Sequence, residues 1–122
     1  MPDGLYALVY TSRAARPLTD RDLDALLDRS RAHNRQHGLT GFLSYDRDAD
    51  DPDDPGTFVQ RLEGPRAAVL DVFRWRVAPS VLHDDVRVTM EGPVRRRAFA
   101  GWSMAFARAA PDGLDAHVQT AA

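Results

Sequence analysis

The chain has 122 residues, 43% of them hydrophobic, and sets 16 basic against 18 acidic side chains for a net charge of −2. That length supports one domain with one modest core and excludes two. The charge balance argues against a general nucleic-acid binder, and no run approaches the ~18–20 apolar residues of a membrane span. The absence of cysteine excludes a disulfide framework, an iron–sulfur cluster, a thiolate metal site and a cysteine nucleophile. Every basic residue is Arg, which also excludes a Schiff-base or P-loop lysine. The opening "MPDGLYALVY" lacks the basic n-region and long apolar stretch of a signal peptide, so a cytoplasmic protein is expected.

"LYALVY" (5–10) reads as a short strand of apolar and aromatic residues. "PLTDRDLDALLDRSRAHNRQHG" follows as a helix. Thr19 or Asp20 is its N-cap, acidic residues fill its first turn, and Gly38 ends it. Leu23, Leu26, Leu27 and Ser30 recur at three- and four-residue spacing as its buried stripe, which Asn34 extends. "LTGFLSY" (39–45) and "TFVQRLEG" (57–64) are the second and third strands. Between them the Asp-rich "DRDADDPDDPG" (46–56) is a long, solvated and disordered hairpin loop. "PRAAVLDVFRWRVA" (65–78) is a second helix, with Pro65 in its first turn and Val69, Val72, Phe73 and Arg76 on one side. "DVRVTMEG" (85–92) is the fourth strand, and "FAGWSMAFA" (99–107) contains the fifth. Arg95, Arg96 and Arg97 with Arg87 form a basic cluster, read as a solvated turn and edge.

This order predicts an α+β, ferredoxin-like β-α-β-β-α-β domain over 1–107 with an additional fifth strand. Two helices cover one face of a mixed sheet, and a partly disordered tail occupies 108–122. Leu5, Ala7 and Val9 then sit exposed on the far sheet face, where they would favour a homo-dimer.

Within that fold several polar groups fall on the buried side. Alternation puts Gln60 on the Phe58/Leu62 face of the third strand, away from Val59, Arg61 and Glu63. An unpaired buried amide costs roughly 1–3 kcal/mol per group, so something polar must lie over it. Tyr10 and Ser12 share the Tyr6/Leu8 face of the first strand, Ser30 and Asn34 continue the helical stripe, and Trp102, Met104 and Phe106 alternate together. Each has an ordinary reading as a core or rim residue. Together they place a phenol, two amides and a hydroxyl between the first helix and the sheet, which suits a planar ligand rich in carbonyl and imino groups.

The segments "LVYTSRA", "SRAHNRQHGLTGFLSY", "FVQRLEG" and "FAGWSMAF" resemble the BLUF family, blue-light sensors using flavin, in order and nearly in spacing over residues 5 to 107. The resemblance implies a short stand-alone photosensor holding FAD or FMN non-covalently between the two helices against the sheet. It implies that Tyr10 donates an electron to the excited flavin and that Gln60 links this tyrosine to the flavin. Asn34 would bind the carbonyl edge, and Ser30 and His33 would line the pocket. Trp102 and Met104 would relay the signal by exchanging inside and outside positions, towards a downstream protein not identifiable from sequence. The family's "DPRH"-like segment after the second helix is replaced by "APSVLHDD". Arg76 or Arg74 is the expected substitute for its arginine, and His83 matches its histidine across a one-residue insertion. The tail leaves little room for the two further helices that some stand-alone members carry.

The departure at "APSVLHDD" motivates a second reading, a flavin-free interaction domain that kept the pocket residues. A third, an acylphosphatase-type hydrolase, needs a phosphate cradle that "TSRAARP" supplies with arginines but without a glycine-rich loop. His33 and His37 make half a metal site at i, i+4, with no further ligand placed by sequence.

Overall fold

A computed structural model of the chain describes residues 4–108. Strand β1 spans Leu5–Ala14, helix α1 Asp20–His37, β2 Thr40–Asp46, β3 Thr57–Pro65, helix α2 Arg66–Val72, β4 His83–Pro93 and β5 Ala105–Ala107. They form one sheet in the order β4-β1-β3-β2-β5. β1 is antiparallel to β3 and β4, β2 is antiparallel to β3, and β5 runs parallel to β2. This is the expected ferredoxin-like α+β fold with a fifth strand. Apart from Arg108, the tail expected at 108–122 lies outside the described residues.

Helix α1 starts where its punctuation places it. Thr19 accepts from the Asp22 N–H at 3.1 Å, and Asp22 accepts from the Thr19 N–H at 2.9 Å, so the N-cap is Thr19 and not Asp20. Gly38, at φ 70°, ends the helix in the left-handed region that other residues resist. Leu23 and Leu27 of α1 and Val69 and Val72 of α2 pack with Leu8, Tyr10, Leu43, Phe58 and Leu62 on one sheet face. Each such burial contributes about 1.5–3 kcal/mol, and both helices therefore settle on that inner face.

Several expectations change. β1 extends past residue 10 to Ala14, because β3 continues to pair it through Arg13↔Thr57, which makes Ser12 a buried strand residue. The same strand pairing occupies "TSRA", so no phosphate loop forms there. The second helix is α-helical only to Val72; Phe73–Val77 make a π-helical turn closed by Ala78 N–H to Phe73 O at 2.8 Å. The loop 46–56 is built rather than loose. The Asp48, Asp51 and Asp54 carboxylates accept backbone N–H groups within it, and Arg47 Nε donates to Asp54 O at 2.7 Å. Trp102 precedes β5, so alternation does not govern it. It joins Phe42, Phe99, Ala105 and Ala107 on the outer sheet face, while Met104 and Phe106 enter the inner core.

The outer face holds a residue that alternation alone assigns to solvent. Glu63 is 0% exposed. Its carboxylate accepts from Thr40 Oγ1, Arg61 Nε and the Ala98 and Phe99 N–H groups, all within 2.9 Å. Burial alone would raise its pKa, but the bonds from Arg61, Phe99, Ala98 and Thr40 outweigh that and hold it below the usual carboxylate range. Arg97 is not a solvated member of the basic cluster: it reaches Thr40 Oγ1 and Gly38 O, both at 2.9 Å. The chain before β5 is thus drawn across the outer face. Ala7, the cross-strand partner of Glu63, is 0% exposed, so of the expected apolar surface only Leu5 and Val9, both half-buried, remain accessible on the outer face.

Because the Glu63 pKa is lower in the folded than in the unfolded chain, its stabilisation is complete above the unfolded value and is lost as pH falls through the folded one. Glu63→Gln is expected to cost roughly 2–4 kcal/mol at neutral pH. Urea melts across the acidic range should show that difference shrinking as the parent's carboxylate protonates.

Candidate functional site

Sheet register brings the central groups together. Across β1 and β3, Tyr10 is the direct partner of Gln60, and across β3 and β2 so is Leu43, which in turn faces Phe106 of β5. One cross-strand row therefore runs from the phenol through the amide to the fifth strand. Tyr10 O–H donates to Gln60 Oε1 at 2.5 Å, and both side chains are buried. Gln60 Nε2 points the other way and reaches Met104 Sδ at 3.7 Å, a soft, weak acceptor. An amide nitrogen has two hydrogens, and this one has a single protein partner, which leaves donor capacity beside the open space described next.

That space is a cavity of about 370 Å³ between α1 and the inner sheet face, within the size range of small-molecule and cofactor sites. Tyr10, Gln60, Asn34, Leu43, Phe58 and Leu62 form its buried floor. Leu26, Ser30 and His33 of α1 line one side, Val72, Val77 and His83 another, and the exposed Arg29, Trp75 and Arg76 its mouth. The donor set suits a flat ring with heteroatoms along one edge: two amides at the floor, apolar walls and no carboxylate.

Tyr10, Ser30, His33, Asn34, Gln60 and Arg76, all expected from sequence, line this one cavity. Trp102 and Met104 do not; Met104 touches it only through Gln60. Asn34 also reaches away from the cavity, its Nδ2 donating to Ser103 O at 2.6 Å. With Arg31 Nε to Met104 O at 3.0 Å, the last two turns of α1 hold the chain on either side of the Met104 side chain. His83 closes the far end. Its Nε2 donates to Val77 O at 2.7 Å, so in the neutral ring Nδ1 accepts from Ser12 Oγ at 2.6 Å, and the ring lies edge-on to Tyr10. Arg29 and Trp75 escaped the sequence reading. Arg29 had a signal, being one turn before His33 on the same helix; Trp75 depends on the π-helical turn, which periodicity does not show.

The electrostatics favour neutral groups at the floor. Burial pushes the Tyr10 phenol far above the ordinary tyrosine range, so it keeps its proton at neutral pH. Burial first, then the charges of Arg76 and His37, lower the His33 imidazole. Among the described residues no group of three or more His, Asp or Glu is placed to hold a metal ion, and no helix is long and apolar enough to cross a membrane.

Residues 5–105 match the family model described as BLUF, sensors of blue-light using FAD. A Euglena longa photoactivated adenylate cyclase subunit beta is 33% identical over 101 residues, 82% of this chain and 11% of that protein. The alpha subunit from Euglena gracilis is 32% identical over 95 residues, 78% of this chain and 8% of its own length. The chain thus spans about a tenth of the curated relatives it matches. Among solved structures, the dark state of BlrB, a BLUF protein, superposes with a TM-score of 0.74 at 31% identity, covering 88% of this chain and 75% of that one. Klebsiella pneumoniae BlrP1, solved with FMN and cyclic diGMP, gives a TM-score of 0.71 at 30% identity, covering 85% of this chain and 26% of its own. The photo-activated state of BlsA shares the fold at a TM-score of 0.73 and 24% identity, covering 88% and 72%.

The raised Tyr10 pKa has a spectroscopic consequence. In an alkaline titration followed by tyrosinate absorbance, Tyr10→Phe is expected to leave the amplitude of the folded protein unchanged, because Tyr10 contributes none until the fold opens. A smaller amplitude in the variant before unfolding would contradict the burial of the phenol.

Proposed function

The chain belongs to the BLUF family, sensors of blue-light using FAD, and on that premise we propose that it is a photosensory module that stores absorbed light as a changed hydrogen-bond arrangement of Gln60. The observation that carries this is the buried 2.5 Å bond from Tyr10 O–H to Gln60 Oε1, with the other end of the amide beside the cavity.

The cavity fits a flavin. Asn34 and Gln60 would meet the polar edge of the ring, Ser30 and His33 its side, and Arg76 the part nearest the mouth. The loss of the "DPRH"-like segment speaks for a flavin-free reading, but two arginines at the mouth retain cationic anchors, which supports binding. Bound there, FAD or FMN supplies the blue absorption and an excited state that accepts an electron.

Tyr10 is neutral and buried, and losing an electron alone would leave a charged phenol in an apolar site. Its proton would therefore leave along the existing bond to Gln60 Oε1 while Nε2 gives one up on the cavity side, which keeps the amide neutral, and electron and proton would later return to the Tyr10 phenol. No bond is made or broken on balance, so there is no turnover and no enzyme activity in this domain. Gln60 is what changes, because a primary amide can donate at one end, accept at the other and reverse by rotation or tautomerisation. With its ends exchanged it presents oxygen where Nε2 now meets Met104 Sδ. The N–H···S contact is lost, and Met104 is released from the inner core. Since Trp102 lies outside and Met104 inside, that release favours exchange of the pair and carries the change to β5, the sheet edge from which a downstream protein would read it.

Purified protein is expected to be yellow and to show a reversible red shift under blue light, which Tyr10→Phe or Gln60→Ala abolishes. Protein that stays colourless after incubation with FAD and FMN would contradict the reading. In a Trp75→Phe background, where Trp102 is the sole indole, Met104→Ala is expected to keep the red shift but lose the light-induced change in Trp102 fluorescence.

A further inference from the structure

The mouth of the cavity has features that a flavin ring alone does not use. The chain carries 18 acidic residues, yet no carboxylate lines the cavity, while Arg29 and Arg76 both do. Among the described residues neither arginine takes part in an ion pair or a side-chain hydrogen bond, although other arginines such as Arg61 and Arg97 are engaged. Beside them Trp75 is 75% exposed. An indole left in water on the rim of a cavity is uncommon, and it offers a flat apolar face.

The π-helical turn produces this arrangement. In an unbroken α-helix Arg76, seven residues after Val69, would lie on the buried stripe. The wider turn Phe73–Val77 carries it out to the rim with Trp75, where both are exposed. Burial and then the charge of Arg76 lower His33, so the guanidinium's field reaches into the cavity.

We infer that Arg29, Arg76 and Trp75 form a second subsite, in which the arginines bind the phosphates of a flavin nucleotide and the Trp75 indole stacks its adenine. The inference rests on the flavin reading above and extends it. With the ring's polar edge at Gln60 and Asn34, the substituent leaves through the mouth. Guanidinium forks there match phosphate oxygens, and an indole face accepts a purine. The subsite thereby selects the dinucleotide over the mononucleotide, and either of them over riboflavin.

Flavin-free protein titrated with riboflavin, FMN and FAD, followed by quenching of flavin fluorescence, separates these contributions. FAD is expected to bind about tenfold more tightly than FMN, and FMN about tenfold more tightly than riboflavin. Trp75→Ala should remove the FAD advantage and change FMN affinity less than about twofold, whereas Trp75→Phe should keep most of it. Arg29→Gln and Arg76→Gln should each weaken FMN and FAD about tenfold, leave riboflavin unaffected and flatten the salt dependence. Equal affinity for FAD and FMN would overturn the adenine assignment, and equal affinity for all three would overturn the subsite while leaving the photosensory reading intact. No binding of any flavin would remove that reading as well.

Discussion

A primary amide on the inner face of the central strand constrains everything around it. β3 lies between β1 and β2, so Gln60 cannot turn to solvent and must find partners within the fold. It finds Tyr10 across one strand pair and Met104 just before β5, and its remaining donor capacity adjoins the cavity. A donor–acceptor group held by one strong and one weak bond is anchored at its oxygen and loosely held at its nitrogen. That asymmetry, more than any reactive group, is what the proposed switch uses.

The two faces of β3 divide the labour. Inward, Gln60 joins Tyr10 and the cavity floor to Met104. Outward, three residues on, Glu63 binds the Ala98 and Phe99 N–H groups and is buried with all its bonds made. The segment leading to Trp102 and Met104 is therefore fixed at its start by Glu63 and Arg97, and at its end by Asn34 and Arg31 of α1. Between these anchors Trp102 N–H donates to Phe99 O at 3.0 Å and Trp102 O accepts from Gly41 N–H at 3.2 Å, so the backbone of the stretch is held throughout. In the proposed switch a change at Gln60 meets the side chains of this held stretch and not a loose loop.

Much of this was legible in the sequence, for identifiable reasons. The helix caps at Thr19 and Gly38 and the alternation around Gln60 are local signals, so they survive folding unchanged. Tyr10, Asn34 and Gln60 converge because strand order follows from the element pattern. Other features depended on tertiary context. Glu63 reads as solvent-facing by alternation, and only the chain crossing the outer face buries it. Trp102 reads as a strand residue sharing Met104's face, yet β5 begins three residues later and the two side chains part. The π-helical turn places Trp75 and Arg76 at the mouth, but its sequence carries the same apolar spacing as an α-helix. The acidic loop reads as disordered from composition, whereas its aspartates act as acceptors for the loop's own backbone.

The central claim is that Gln60 has two orientations and that light moves it between them. The direct measurement is the side-chain amide NMR signal of Gln60 in ¹⁵N-labelled, flavin-loaded protein, assigned by its loss in Gln60→Glu, in darkness and under blue illumination. The account expects both amide protons to shift under light and to return in darkness in step with the visible spectrum. A full reversible red shift with the Gln60 amide signals unmoved would contradict it.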